Sequence, residues 1–569
     1  MSSGLTSSYW PADRSQSLLE ITLGDLLRQV ADEVPDRIAL VEGLSDARLR
    51  RRWSYRDLLR DSERVARALL ARFEVGERIV LYASNSPEWV LLQHGMSLAG
   101  LQLVPVNPGY TTRELEFVTR NCNAAGIIFE SSYRGRDLDE VIAELRRAGL
   151  ADLREFIAMD DFGALLTAGE RPGTLPQIAP DQTLQIQYTS GTTGSPKGAL
   201  LHHRGVINTA RNIALRMGFP DGGIHINAMP MFHIAGSAVA EMGVLALRGT
   251  FVLMPHFDAG LMLELFEAER GNATLIVPTM ILGLLDHPDR AKRDVSSLKT
   301  ILSGAANVPA ALVRRTQSVL NCQICIIFGQ TESNGPITLT APGDSIEDQT
   351  ETVGKPLPHV EVKIVDPEST ETLPLETIGE IWVKGYQTMS GYHALPAESK
   401  ATVRADGWLR TGDLGTMDSR GYVKITGRLK EMIVRGGMHL YPKEIEDVLF
   451  DHPEISQVAV LGVPDEKWGE VVATVLLAKD PDHAPSAEAL YSYAAARLAS
   501  QKVPELWFFV SNYPLTPSGK IQKPVLRDWI VNKQLLPVPC KRPSAKLGAE
   551  SDKLGPGAAK ASPRSPMPP

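Results

Sequence analysis

The chain has 569 residues, 43% hydrophobic and 22% charged, ordinary for a globular protein and enough for more than one domain. Its 59 basic and 67 acidic residues leave a net charge of −8 and a pI near 5.9. That balance gives no sign of general nucleic-acid affinity but leaves room for a local pocket for nucleotide phosphates. Cys122, Cys322, Cys325 and Cys540 are too few and too scattered for a disulfide framework.

Met1 to Arg14 lack the apolar core of a signal peptide. From about residue 22 to 130, helical and strand-like patterns alternate. Ser54 and Asp57 read as a capping box opening a helix whose apolar side carries Leu58, Leu59, Val65, Leu69 and Leu70. Strands are expected at 78–82, 101–106 and 125–129, with helices at 87–98 and 111–121, a rhythm that implies a parallel sheet flanked by helices. The rhythm resumes from residue 182 to about 328. Two stretches, 89–112 and 222–240, lack Asp, Glu, Lys and Arg over nearly a membrane-spanning length. Polar residues such as Gln93, His94, His225 and Asn227 interrupt them, so no transmembrane helix is expected and a cytoplasmic protein is the simplest reading. Cys322 and Cys325 form a C-x-x-C that invites a redox or zinc reading. They sit in a strand-like run with no second Cys or His pair nearby, which favours structural cysteines.

Past Gly354 the texture turns to short strands, at 360–365 and 379–385. After Arg428 a compact α+β unit is expected, with helices from Pro442 and at 486–498 and strands at 457–463, 471–478 and 507–510. These readings divide the chain into residues 1–429, a smaller domain at 430–537 and a tail at 538–569. The tail is rich in Pro, Ala, Gly, Ser and Lys, has no aromatic residue, and reads as disordered.

The most informative stretch runs from Tyr188 through Thr189, Ser190, Gly191, Thr192, Thr193, Gly194, Ser195 and Pro196 to Lys197 and Gly198. Glycines let backbone N–H groups approach an anion, hydroxyls add donors, and Lys197 adds positive charge, which together suit a polyphosphate. An alternating run before it reads as a strand. Val206, Ala210, Ile213, Ala214 and Met217 after it fall at helical spacing, so the loop is expected to join a strand to the approach of a helix. Lys197 is followed by glycine rather than Ser or Thr, so this is not a Walker A loop.

Further motifs follow in order: Pro230 to His233; Ser303, Gly304, Ala305 and Ala306; Phe328, Gly329, Gln330, Thr331 and Glu332; Gly379 to Ile381; and Gly407 to Asp413. Gly427, Arg428, Leu429, Lys430 and Glu431 then lead to Gly436 and Gly437, to Tyr441 through Glu446, and to Pro514 through Lys523. The ordered set, over about residues 20 to 530, resembles the adenylate-forming (AMP-binding) superfamily, most closely its medium- and long-chain fatty acyl-CoA synthetases. The resemblance implies a large N-terminal α/β domain of parallel and mixed sheets with flanking helices and a small β-barrel-like part, followed by a small mobile α+β domain.

It also implies roles. Ser190 to Gly194, with Thr189 and Lys197, would hold the β- and γ-phosphates of ATP, and Glu332 with Thr189 would bind Mg²⁺. Gly304, Ala305 and Ala306 would let adenine lie flat against Phe328, where the family often has Tyr, with Gly329 and Thr331 beside the nucleotide. Asp413 would accept the ribose hydroxyls and Arg428 donate to the ribose; standing alone, the first reads as a turn residue and the second as a surface charge. Lys520 would bridge the attacking carboxylate and the α-phosphate. A charge pair at about 4 Å is worth about 4 kcal/mol at an effective dielectric of roughly 20, so its loss would slow adenylation on the order of a thousandfold. Gly436 and Gly437 would line the pantetheine passage of coenzyme A. Lys520 and this glycine pair belong, by the resemblance, to opposite faces of the small domain, which would rotate about Lys430 between half-reactions. His439 stands where the family often has Asn.

His233 occupies the position where amino-acid-activating relatives carry Asp, so an α-ammonium group finds no carboxylate there, and His233 joins Lys520 and Glu332 as a catalytic candidate. The apolar segments 234–240 and 277–283 suit a hydrophobic acyl tunnel, or equally ordinary core. No carrier domain follows, so free CoA is the expected acceptor. The reaction implied is ATP-dependent formation of an acyl-adenylate and its transfer to CoA, releasing pyrophosphate and AMP. The alternatives are an enzyme that loads a separate carrier protein or performs one half-reaction, a silent nucleotide- or acyl-binding relative, and, less favoured, a luciferase-like oxygenase. The expected partners are a carboxylic acid, ATP and CoA, without nucleic acid or stable membrane insertion. The oligomeric state is left open, a homodimer included.

Overall fold

In the computed structural model, residues 4–189, 196–304, 308–515 and 521–540 are described. Ser54 and Asp57 close the expected capping box on the helix Tyr55–Leu70, and Thr111 and Glu114 close a second on Thr112–Asn121. Between them lies Pro87–Ala99, capped by Ser86, opened by a proline and stopped by Gly100 at φ +68°. Almost all of this helix is buried, Gln93 and His94 included, because it is wedged between Tyr55–Leu70 and other core elements.

The chain divides into a larger unit ending at Met432 and a smaller one that spans Ile433–Pro514 and resumes at Ile521. The larger unit holds three main sheets. One has six strands in the order Lys197–His202, Thr183–Thr189, Gln102–Val106, Arg78–Tyr82, Gly126–Phe129 and Glu155–Ala158; all neighbours are parallel except the first pair. A nine-stranded sheet has Gln323–Gln330, Thr300–Gly304, Ala273–Leu275, Ile224–Asn227 and Thr250–Leu253 at its parallel centre. The third is antiparallel, running Tyr9–Trp10, Val360–Val365, Gly379–Gly385, Leu409–Met417 and Val423–Arg428. This is the mixed α/β architecture the sequence implies.

The smaller unit pairs Met438–Leu440, Ile433–Arg435, Gly469–Ala478 and Ile455–Asp465 in antiparallel order, with Leu506–Phe509 added parallel to Gly469–Ala478. Helices Pro442–Phe450, Ala487–Ala495 and Lys523–Val531 complete it. The Val538 N–H still donates to Trp507 O at 2.8 Å, so the chain is tied into this unit at the first residue of the expected tail; residues 541–569 lie outside the described ones.

No helix among the described residues is long and apolar enough to cross a membrane. The charge-free stretch 89–112 is divided between a helix and a strand, and 222–240 between a strand, a turn and a short helix. Cys322 and Cys325 are buried and unpaired by disulfide, and burial pushes both thiols up to about 12. Both behave as core residues rather than as a redox or zinc pair.

Candidate active site

Thr189 and Lys197 lie opposite each other as the last and first residues of two antiparallel strands. The sequence reading has the loop leading toward a helix. Instead Lys197 opens a strand, and the helix, His203–Arg216, starts six residues later. The hairpin therefore clamps both ends of the loop, and the helix His203–Arg216 begins after the second strand rather than at the loop. Ser190, Gly191, Thr192, Thr193 and Gly194 lie outside the described residues.

A third segment runs beside the hairpin. Leu200 N–H donates to Gly391 O at 2.9 Å and His393 N–H to Gly198 O at 2.8 Å, which lays Tyr392 across from Ala199. The Tyr392 hydroxyl then donates to Glu332 Oε1 at 2.8 Å, and its ring centroid lies 5.3 Å from Lys197 Nζ. Thr189 Oγ1 is 3.5 Å from the same Glu332 oxygen. Burial and the neighbouring Glu332 carboxylate push the Tyr392 phenol well above its ordinary value, so it is a donor across the physiological range. Thr189 Oγ1 and the Glu332 carboxylate are hard oxygen donors of the kind Mg²⁺ takes alongside water and phosphate, and two such protein oxygens suit an ion that keeps most of its shell for those ligands.

Glu332 is held by its backbone. It lies in the short turn Thr331–Ser333, closed by reciprocal hydrogen bonds of Gln330 and Ser333, and its carbonyl accepts the Met389 N–H at 2.9 Å. Gly304 ends its strand, level with Ile327 on the parallel neighbour Gln323–Gln330, where Phe328 lies two residues before the end. A Cβ on Gly304 would come within 2.5 Å of Ile327 O, and one on Gly329 would overlap Gly335 O and Pro336 Cα. Strand packing alone therefore requires glycine at both positions. Phe328 is half-buried. Ala305 and Ala306 lie outside the described residues.

Asp413 and Arg428 are cross-strand partners, with Arg428 Nε 2.9 Å from Asp413 Oδ1. Asp413 is 4% exposed, whereas the Arg428 side chain is half exposed. The Asp413 charge raises the Arg428 pKa, and the Glu431 and Glu332 charges add to it. Beneath the pair, buried Glu380 accepts from Gly412 N–H at 3.2 Å, Trp382 Nε1 at 2.8 Å and the Arg410 guanidinium at 3.0 Å. It thereby fixes the part of the strand Leu409–Met417 that carries Asp413.

The turn from Pro230 to His233 is pinned from two sides. Buried Asn85 donates to Met229 O at 3.1 Å and accepts the Met231 N–H at 2.8 Å, while Gln187 Nε2 donates to Phe232 O at 2.9 Å. His233 Nδ1 accepts the Ala235 N–H at 3.2 Å, which turns Nε2 away from its own backbone. After it, Ala235–Ala240 form a wholly buried π-helix. The second expected tunnel segment differs. It belongs to the helix Pro278–Asp286, and it exposes Thr279 and Leu282 while burying Ile281.

In the smaller unit, Gly436 and Gly437 form the two-residue turn between Ile433–Arg435 and Met438–Leu440, with φ of +56° and +80°. Two positive φ angles make the tight hairpin turn for which glycine pairs are suited. The Gly436 N–H donates to Trp468 O at 2.8 Å. His439 is exposed, Lys430 lies in the turn Leu429–Glu431, and Lys520 lies outside the described residues. Asn85 and Tyr392 are the site residues that sequence reasoning missed. Both act through single side chains in irregular segments, where no periodicity or motif marks them.

This fold, with Thr189 and Lys197 flanking a loop, the Glu332 carboxylate beside them, and a buried acid paired with a half-exposed arginine on the same unit, suits a nucleotide-dependent enzyme. The match to known families agrees. Residues 27–393 match the AMP-binding enzyme family and residues 444–520 its C-terminal domain, and the chain belongs to that family. It is 34% identical to a putative acyl-CoA synthetase, YngI of Bacillus subtilis, over 90% of this chain and 97% of that one. It is 33% identical to the mouse mitochondrial medium-chain acyl-CoA ligase ACSF2, over 92% and 89%. Among solved structures, ATP-bound MatB from Rhodopseudomonas palustris aligns with a TM-score of 0.80 at 30% identity, covering 89% of this chain and 99% of that one. The anthranilate CoA ligase AuaEII with anthranoyl-AMP aligns at 0.80 and 25% identity, covering 90% and 97%. The chain is thus an AMP-binding enzyme of the adenylate-forming acyl-CoA ligase kind.

Proposed function

We propose that the protein joins a hydrophobic, medium-chain carboxylic acid to CoA at the expense of ATP. The observation that carries this reading is the convergence of Thr189, Glu332, Tyr392 and Lys197 at the mouth of the phosphate loop. The similarity to a medium-chain ligase along most of the chain supports the acid's class.

In the first step an acid oxygen attacks the α-phosphorus, the bond to the bridging oxygen breaks, and pyrophosphate leaves. Two anions must be brought together, so the protein's task is positioning and charge neutralisation. Lys197 and the residues from Ser190 to Gly194 hold the departing phosphates. Thr189 and Glu332 hold Mg²⁺, which neutralises charge on the phosphate oxygens when bound. Gly304, Ala305, Ala306, Phe328, Gly329 and Thr331 border the adenine, and Asp413 with Arg428 takes the ribose. His233 faces the acid, and Lys520 bridges the carboxylate and the α-phosphate. In the second step the CoA sulfur attacks the acyl carbonyl and AMP departs, with Gly436 and Gly437 lining the thiol's approach. The domain reading is residues 1–429, 430–537 and a tail from 538, with rotation about Lys430 between the steps.

Incubation with ATP, Mg²⁺ and straight-chain, aryl and polycyclic acids, with and without CoA, followed by mass spectrometry, tests this. The expected products are medium-chain acyl-CoA and AMP. Acyl-AMP that survives added CoA would instead indicate a carrier-loading enzyme or a single half-reaction.

A further inference from the structure

The geometry points to Gln93, His94 and Glu241 as positioning residues that hold the wall behind His233 in its π register and so set which acids the site accepts. This rests on the reading of His233 and the segment after it as the acid end of the site.

The segment Ala235–Ala240 is π-helical and reverts to an α-helix over Glu241–Ala246. At the junction the Glu241 N–H is shared between Gly236 O and Ala238 O, passing over Ser237 O, which an α-helix would use. Ser237 O instead receives Gln93 Nε2 at 3.1 Å. The same amide donates to Glu241 Oε2 at 3.0 Å, and His94 Nε2 lies 2.8 Å from Glu241 Oε1. Ser237 Oγ in turn donates to His233 O at 3.2 Å. Through Ser237, whose carbonyl accepts from Gln93 and whose hydroxyl donates to His233 O, the helix Pro87–Ala99 is therefore connected to the backbone of His233.

Gln93, His94 and Ser237 are 0% exposed and Glu241 is 4% exposed. A buried carboxylate and two buried polar side chains are a costly way to join two helices, since apolar residues of like size would pack there without desolvation cost. What apolar residues cannot do is supply a donor to the carbonyl that the π turn leaves over. On its far side Val239, Ala240 and Gly243 border a cavity of about 10 Å³, shared with Ile213, Met217 and Leu302. If the amide were lost, relaxation to an α-helix would drop one residue from the turn and rotate the side chains before it by about 100° relative to those after it. That would re-aim the residues between His233 and Glu241, whose side chains form the wall.

The test compares full-length wild type with Gln93→Met, which keeps size and removes the donor, and with Leu92→Val as a core control in the same helix. Two readouts are taken: amide hydrogen exchange over residues 234–242, and relative kcat/KM for six- to twelve-carbon acids alongside KM for ATP. Gln93→Met is expected to speed exchange in this segment and to move the chain-length preference about tenfold, leaving KM for ATP within about twofold. Glu241→Met, which removes the acceptors that hold the Gln93 amide and the His94 ring, is expected to act in the same direction and serves if Gln93→Met does not accumulate. If the network variants match Leu92→Val in both readouts, the network only stabilises the fold and the inference fails. If wild type adenylates no acid, the functional reading fails instead, and the exchange comparison alone decides whether Gln93 holds the register.

Discussion

The Tyr392 hydroxyl donates to Glu332 Oε1 at 2.8 Å across sixty residues of sequence, and the same ring faces Lys197. One aromatic side chain thus touches both the carboxylate assigned to Mg²⁺ and the lysine assigned to phosphate. Tyr392→Phe keeps the ring and removes the donor. Its expected effect is a rise in the Mg²⁺ concentration needed for adenylation and a loss of about tenfold in kcat/KM for ATP. A magnesium titration checks it, and an unchanged titration would remove Tyr392 from the site.

Asp413 offers a second handle. Its partner Arg428 is half exposed, so an unpaired guanidinium can be solvated and the fold should tolerate Asp413→Asn. Nucleotide recognition should not. Two charge-assisted hydrogen bonds to the ribose would be weakened, and ATP affinity is expected to fall roughly tenfold to a hundredfold. Calorimetric titration with ATP, together with an unchanged circular dichroism spectrum, separates these effects.

Gly329 tests packing apart from chemistry. A Cβ there would overlap the backbone of Gly335 and Pro336, and backbone cannot step aside as a side-chain tip can. Gly329→Ala is expected to destabilise the larger unit by about 1–3 kcal/mol. Urea unfolding measures this, and an unaltered midpoint would show that the strand pair can separate there.

Acid should weaken the fold through two buried histidines. Burial lowers His203 and His225 to about 3 from an ordinary 6.5. His203 Nδ1 accepts the Leu23 N–H, and His225 sits between Phe219 and Phe251. Both stay neutral when folded, while their unfolded counterparts take up protons below 6.5. Stability is therefore lost as pH falls from about 6.5 toward 3, by up to about 1.4 kcal/mol per pH unit for each histidine. His225→Phe removes one of the two contributions, so the slope of unfolding free energy between about pH 6 and pH 4.5 should flatten by up to that amount. An unchanged slope would mean that His225 protonates in place.

Much of this was legible in the sequence because it depends on local chemistry. The capping box of Ser54 and Asp57 and the spacing of Val206, Ala210 and Ile213 are properties of a few adjacent residues, and the helices follow them. The strand from Lys197 was missed because a short apolar run between a glycine loop and a helix has no period of its own. Its pairing with Thr183–Thr189 makes it a strand. The π turn after His233 was hidden for a similar reason, since its register rests on a side chain from residue 93. Tyr392 and Asn85 act on residues far away in the chain, and neither belongs to a motif.

The most direct test of the central claim is a single-turnover reaction of excess protein with ATP radiolabelled at the α-phosphate, Mg²⁺ and octanoate, quenched over time with and without CoA. On this account octanoyl-AMP builds up without CoA. On adding CoA it is consumed, giving equal amounts of octanoyl-CoA and AMP. Label recovered only in ADP, or no adenylate from octanoate or any other acid, would contradict it.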